Sequence, residues 1–307
     1  MTPRVSVIIP CFNVARFVGQ ALDSVCSQTC ADLEIIAVDD GSTDATRAVL
    51  DAHAARDSRI RVITQPNRGE AGARNAGLRH ARAEYVCFLD GDDIFLPDKI
   101  ERQAAFLDRT PGCDLVYSDY LMADAELNPW GYVRTLIPNS DIMTHYARRN
   151  WFGVMAPLLR RSAAEQVGEF DETLTRAADW DYWIRCARAC RFEYLEGAVG
   201  VYRHHDAQIH RGSVEMIRGA RAVIEKHFAG DARLHSLALS CLYWSAARDR
   251  FRARALPATV WYTVASELHS LLAGGVPFSI RNVDTVILPV PAEAELVLRR
   301  QREAVAS

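Results

Sequence analysis

Apolar residues in the first 120 positions come in short β-branched runs, separated by segments in which they recur every three or four places. The runs are residues 5–9, 33–38, 59–64 and 85–89, each the length of a strand and bounded by turn residues. Between the first two, Phe17, Val18, Ala21, Leu22, Val25 and Cys26 fall on one face of a helix. A second helix is expected over residues 43–55 with Ser42 as N-cap, and a loop followed by a helix over residues 69–81. This alternation predicts an α/β class, a mostly parallel sheet within a three-layer α/β/α arrangement. Ligands of such sheets sit beyond the carboxyl ends of the strands. There the sequence places Pro10-Cys11-Phe12-Asn13, Asp39-Asp40-Gly41-Ser42 and Asp90-Gly91-Asp92-Asp93.

Further along, Pro97 and Asp98 open a helix with Ile100, Ala104 and Leu107 on one face, and residues 114–117 read as a strand. The pattern is weak over 121–139, where Asn128-Pro129 and Gly131 mark turns. Residues 158–168 read as helical, 179–189 as an amphipathic helix, and 192–202 as a pair of strands punctuated by Gly197 and Gly200. Past about residue 213 the chain is helix-rich until a short apolar run at 286–288. A length of 307 residues suits one large domain with an appended piece. The expected division is an α/β domain over 1–215 and a helical extension over 216–307.

Composition narrows the functional classes. Hydrophobic residues make up 49% of the chain and charged ones 24%, enough to bury a core, and a net charge of -3 argues against nucleic acid as a partner. The eight cysteines show no CxxC spacing. Cys26/Cys30 and Cys186/Cys190 would share helix faces and offer a metal site, but their apolar neighbours favour reduced core thiols and a cytoplasmic compartment. The apolar run that Pro10 ends is too short for a signal peptide, and no run of about 18 apolar residues occurs. Residues 237–272 mix Leu, Trp, Tyr and Ala with Arg248, Arg250, Arg252 and Arg254. One reading is a basic surface for peripheral contact with the inner face of a membrane or with a lipid-linked acceptor. The other, which the composition favours, is a packing domain with a solvated arginine face.

Three carboxylates within Asp90-Gly91-Asp92-Asp93 repel one another beside a buried strand, and a hard cation bound to carboxylate and phosphate oxygens relieves that repulsion. Gly91 permits a tight turn there. A lone Asp-x-Asp is more often a solvated turn. The second acidic pair, Asp39-Asp40, and a cation, Arg74, approaching the same edge turn the reading toward a phosphate-bearing ligand.

Five blocks then carry a resemblance: VSVIIPCFN (5–13), VDDGSTD (38–44), NRGEAGARNAGL (67–78), EYVCFLDGDD (84–93) and ADWDYW (178–183). In this order and spacing the chain resembles family 2 glycosyltransferases of the GT-A fold. The resemblance implies that Pro10, Phe12 and Asn13 hold the base and ribose of a nucleotide sugar, with Phe12 stacking on the base. Asp39 and Asp40 fall where an aspartate reads the uracil edge of a UDP-sugar, Asp40 being the closer match. Arg74 and Asn75 fall near base and phosphates, and Asp90 and Gly91 beside the ribose or sugar. Asp92 matches the ligand of a divalent metal, Mn2+ or Mg2+, while Asp93 matches a structural position. His205, in the Y-R-x-H element, falls by the diphosphate or metal, and Trp180 and Trp183 are candidates to stack on an acceptor sugar.

Asp179 matches the base that deprotonates the acceptor hydroxyl in inverting enzymes. The sequence departs from the pattern at Ala178, where glutamate is more usual, so a neighbouring carboxylate is missing. The implied activity is an inverting, metal-dependent transfer from a UDP-sugar to a saccharide or lipid-linked acceptor, in polysaccharide or other glycan synthesis. Two other classes stay open. A nucleotidyltransferase requires a glycine-rich basic loop after the first strand, where this chain has Pro10-Cys11-Phe12-Asn13. A non-catalytic glycan-binding protein on the same fold would have lost Asp92 or Asp179, and both are present.

Overall fold

The computed structural model describes residues 2–137, 142–206, 208, 214–252, 256–272, 287–291, 295–296 and 298–299. Strands β1 (Val5–Cys11), β2 (Leu33–Asp39) and β4 (Tyr85–Phe88) are buried along their whole length, which is why they read as apolar runs rather than alternating ones, interrupted only by Ser6 and Glu34, which hydrogen-bond to each other at 2.7 Å. With β3 (Ile60–Thr64) they form a parallel set in the order β3-β2-β1-β4. Past β4 the sheet turns mixed. There β8 (Pro157–Arg160) runs antiparallel to both β4 and β6 (Leu115–Ala123), and β7 (Pro129–Val133) runs antiparallel to β6. Strand β9 (Phe192–Arg203) lies parallel to β6 and antiparallel to the short β5 (Ile94–Phe95). The short β10 (Ile287–Leu288) pairs with β7.

Helices α1 (Val18–Cys26) and α2 (Thr46–Ala54) pack together, α3 (Gly69–His80) lies on β1 and β2, and α4 (Lys99–Arg109) lies on β6. Helix α3 approaches β1 closely because Gly77 lacks a side chain: a Cβ there would stand 2.3 Å from Cγ2 of Ile8, which is fully buried and has nowhere to go. Overpacking of this kind costs about 1–3 kcal/mol. Gly77→Ala is therefore expected to lower the urea midpoint at constant m-value. An unchanged midpoint would mean that α3 does not press on β1 this tightly.

Several sequence expectations change. Ser42 is not an N-cap: α2 starts after Ala45, and the Ser42 hydroxyl instead accepts a hydrogen bond from the backbone N–H of Asn13 at 3.2 Å. Residues 158–168 are not one helix, since Leu158 and Leu159 lie in β8 and only α6 (Arg161–Val167) is helical. Two adjacent buried leucines satisfy either period over so short a span. Residues 192–202 are a single strand. Gly197, at φ 105°, sits where the β6–β9 register shifts, so the glycine that suggested a turn marks a bulge. The weakly patterned 121–139 holds the end of β6 and the whole of β7.

Helix α7 (Ala178–Ala189) leads through β9 to the C-terminal helices α8 (Val214–Phe228), α9 (Ala232–Arg252) and α10 (Leu256–Leu272). Helix α8 packs on α7 and α9, and α9 packs on α10 and on α5 (Ile142–Arg148). Asp181, wholly buried in the first turn of α7, accepts from Arg185 at 2.9 Å, Lys226 at 2.7 Å and His227 at 2.7 Å. It thereby bolts α7 to α8. Of the arginines in the expected basic surface, Arg248 is exposed, while the side chains of Arg250 and Arg252 and all of Arg254 lie outside the described residues. All eight cysteines are free. Among the described residues no helix is long and apolar enough to cross a membrane.

Candidate active site

The carboxyl ends of β1, β2 and β4 open on a cavity of about 1500 Å³. Pro10, Phe12, Asn13, Asp40, Arg74, Asp90, Gly91, Asp92, Asp179 and His205 all line it, although they come from six separate stretches of chain. Phe12, just past β1, is 47% exposed, unusual for an aromatic beside a buried strand, and its ring is available as a stacking surface. Asn13 holds a left-handed backbone, φ 54°, that asparagine tolerates well. Its Oδ1 accepts from the Thr43 N–H at 2.8 Å and the Asp44 N–H at 3.3 Å, so it ties the loop after β1 to the loop after β2.

The two aspartates after β2 separate in role. Asp39 does not line the cavity: its Oδ1 accepts from the Ser42 N–H at 3.0 Å and closes the turn. Asp40 lines the cavity, with Oδ1 fixed by Gln65 Nε2 at 2.7 Å and the Arg68 N–H at 2.9 Å. Asn75, expected near the phosphates, also points elsewhere. Its side-chain amide exchanges hydrogen bonds with the backbone of Phe170 at 2.7 and 2.9 Å and donates to Glu172, clamping α3 to the segment before α7.

Arg74 is the buried cation of the site. Its Nη2 meets Asp90 Oδ1 at 2.8 Å and Glu70 Oε1 at 3.1 Å, while Nε and Nη1 are buried with no hydrogen-bond partner. Burial pushes the Asp90 carboxyl up to about 7, with Arg74 pulling it back. Gly91 is needed for closeness rather than for an unusual backbone angle: a Cβ would stand 3.0 Å from Val14 Cγ2 and 3.2 Å from the Pro10 carbonyl. Asp93 is buried, accepts from the Arg203 N–H at 2.9 Å, and leaves Oδ2 unpartnered. Burial, then the neighbouring Asp92 and Asp90, raise its carboxyl well above the ordinary range.

Asp92 Oδ2 stands 3.0 Å from His205 Nε2. Two ligands held about 2.1 Å from a six-coordinate cation at a right angle are about 3 Å apart, so this pair suits two adjacent positions of Mg2+ or Mn2+. No cluster of three or more acidic, histidine or cysteine ligands occurs among the described residues. The donor set therefore fits a cation that takes its remaining ligands from phosphate and water. Arg203, the arginine of the Y-R-x-H element, to which the sequence assigned no role, braces this corner. It donates to the Asp92 carbonyl at 2.7 Å, the Ala125 carbonyl at 2.8 Å and Gln20 at 2.7 Å, and lies 4.8 Å over the Phe17 ring.

Across the cavity, Asp179 sits in the first turn of α7, not at its N-cap, which is Ala177 at φ 60°. Asn150 Nδ2 donates to its Oδ2 at 2.6 Å. Asn150 belongs to a segment with no periodic pattern, which left sequence reasoning nothing to find it by. Burial raises the Asp179 carboxyl, and Arg74 opposes that rise. Of the two tryptophans, Trp180 lines the cavity and donates to the Tyr146 carbonyl at 3.0 Å, while Trp183 is fully buried in the core against Phe88 and Phe152. The far wall comes from α8 and α9, through residues such as Ile217, Trp244 and Arg248.

The sequence profile of glycosyl transferase family 2 matches residues 6–167. An uncharacterized glycosyltransferase of Bacillus subtilis strain 168, EpsJ, is 32% identical over 218 residues, covering 67% of this chain and 62% of the relative. Chondroitin synthase of Escherichia coli is 29% identical over 197 residues, covering 63% of this chain and 28% of that protein. The chain thus spans less than two thirds of the length of either relative. The crystal structure of S. aureus TarS 1-349 in complex with UDP-GlcNAc aligns over 99% of this chain and 91% of its own, at a TM-score of 0.63 and 18% identity, a likeness of fold.

Proposed function

The chain belongs to glycosyl transferase family 2 and has the GT-A fold, and on that premise we propose that it moves a sugar from a nucleotide sugar, a UDP-sugar, to an acceptor hydroxyl with inversion. One observation carries this reading: a single cavity joins Asp40, Arg74, Asp90 and Asp92 to Asp179, the groups a transfer needs on its donor and acceptor sides.

The donor half binds and orients. Phe12 offers a ring face to the base, and Asp40, with Oδ1 fixed, presents its carboxylate as an acceptor for the N–H of a uracil edge. The unspent Nε and Nη1 of Arg74 are donors for phosphate oxygens. Asp90 stands beside the ribose or sugar. Asp92 and His205 are the residues to hold a divalent cation, which when bound supplies Lewis-acid neutralisation of the charge on a departing diphosphate. On the other side Asp179, oriented by Asn150, accepts the proton of the acceptor hydroxyl as it attacks the anomeric carbon from the face opposite the diphosphate. The division at residue 215 is part of the same proposal: residues 1–215 hold the transfer machinery and the C-terminal helices wall the acceptor end.

The similarity to chondroitin synthase favours a role in polysaccharide synthesis. The test of the donor is direct. Isothermal titration with UDP and with GDP, in the presence of Mn2+, is expected to show UDP bound at least about tenfold more tightly, since guanine also has an N–H edge but the larger purine carries it to a different place from the uracil N–H that the fixed Asp40 is set to meet. Equal affinity for the two nucleotides would overturn the UDP assignment.

A further inference from the structure

The acceptor end of the cavity carries charge that the transfer reaction does not use. Arg148 ends α5 and Arg149 follows it, Arg176 stands two residues before α7, and Arg248 lies on α9; all four line the cavity. Among the described residues, the carboxylates on these same elements that line it are Asp179, held by Asn150, and Asp249.

Many arginines of the chain are paired with carboxylates, though among the described residues others, such as Arg56, Arg61 and Arg109, are not. Arg59 meets Asp57, Arg68 meets Glu172, Arg79 meets Glu169 and Arg185 meets Asp181. Arg148 and Arg176 make no ion pair among the described residues. Arg176 donates only to the carbonyl of its neighbour Thr175, at 3.0 Å, and its Nε is buried with no partner. Arg176 is half-buried and Arg148 exposed, and a partly buried guanidinium left short of partners gains more from an anion than from a hydroxyl.

The arrangement is held in place. Gly219 of α8 has no room for a Cβ, which would stand 2.7 Å from Arg176 Cβ and 2.8 Å from its carbonyl oxygen, so the Arg176 backbone is pressed against α8. The Arg149 guanidinium lies 4.0 Å from the centre of the Trp151 ring, a contact that fixes its plane. Burial raises the thiol of Cys241 on α9, and Arg148 and Arg149 pull it back, which sets both guanidiniums beside that helix.

We propose that the acceptor is anionic, bearing a carboxylate or phosphate group that Arg148, Arg149 and Arg176 bind while its hydroxyl faces Asp179. This rests on the transfer reading above and names the class of its second substrate. Planar, forked guanidiniums suit both groups, which accept two hydrogen bonds from one arginine.

The test uses UDP-saturated protein with Mn2+ and two matched pairs of probes. The first pair is a disaccharide ending in glucuronate and the same disaccharide ending in glucose. The second is N-acetylglucosamine on farnesyl diphosphate and on farnesol. In at least one pair the anionic member is expected to bind about tenfold or more tightly than the neutral one, with the preference shrinking at high salt. Preference in the first pair assigns a carboxylate and preference in the second a phosphate; equal binding within both pairs would overturn the proposal. Arg148→Ala and Arg176→Ala are each expected to remove most of the preference, and Arg148→Lys to keep part of it. Full preference in both alanine variants would show that these arginines do not hold the anion. Wild-type protein that fails to bind UDP would strike the donor reading instead, so the two failures are distinct.

Discussion

Asp179→Asn is expected to lower the rate of sugar transfer by about a hundredfold to ten-thousandfold, the usual contribution of a positioned general base, while leaving UDP affinity within about twofold. Asparagine keeps the size of the side chain and loses only the ability to take a proton. The partner changes little too, because Asn150 Nδ2, now 2.6 Å from Oδ2, still finds an oxygen in the amide. The pH profile separates a base from a merely structural carboxylate. Burial raises the folded Asp179 above the ordinary carboxylate value of about 4, and only the deprotonated form accepts a proton. Transfer at saturating donor should therefore fall as the pH drops through that raised value. In Asp179→Asn the residual rate should lose this limb. Single-turnover kinetics across acid pH measure both effects, and a variant with near-normal turnover would assign the base to another residue.

The parallel half of the sheet was legible because β1, β2 and β4 are buried on both faces, so their apolar runs are interrupted only by Ser6 and Glu34, and those of β2 and β4 lead into acidic turns. The mixed half was legible only in part, through the strand character of residues 114–117 and 192–202. Leu158 and Leu159 in β8 carry too few residues to show a period, and the bulge at Gly197 has the same composition as a turn. The loops after the parallel strands declared themselves through Asp40, Asp90 and Asp92, since carboxylates beside buried strands need a reason. Asn150 and Arg176 gave no such sign, and Arg203 showed only as the arginine of the Y-R-x-H element, with no role attached. Their places depend on long-range contacts, Asn150 with Asp179 or Arg203 with Gln20, that local spacing does not encode. Asp39 and Asp40 differ only in which way the turn points each side chain, and adjacent residues of one type leave that to the backbone.

Asp92→Ala is expected to remove the Mn2+-dependent part of UDP affinity and to slow transfer by about a hundredfold to a thousandfold, equivalent to the several kcal/mol that a bound cation contributes to charge stabilisation. The reason lies in how few protein donors the corner offers. Asp92 and His205 are the pair at cation-ligand spacing; Asp93 is turned toward the Arg203 backbone, and Asp90 is paired with Arg74. Losing one of two protein ligands leaves the other unable to hold a cation against water. Asp92 also steadies His205, so a purely structural account has to be separated. Structural damage would weaken UDP binding equally with Mn2+ and with chelator present, whereas loss of a ligand weakens only the Mn2+ arm. His205→Ala, which removes the second ligand and keeps the carboxylate, should reproduce the selective loss. If Asp92→Ala retained the full Mn2+ increment, the cation would have to be held elsewhere, and the crowding of Asp90, Asp92 and Asp93 would need another explanation.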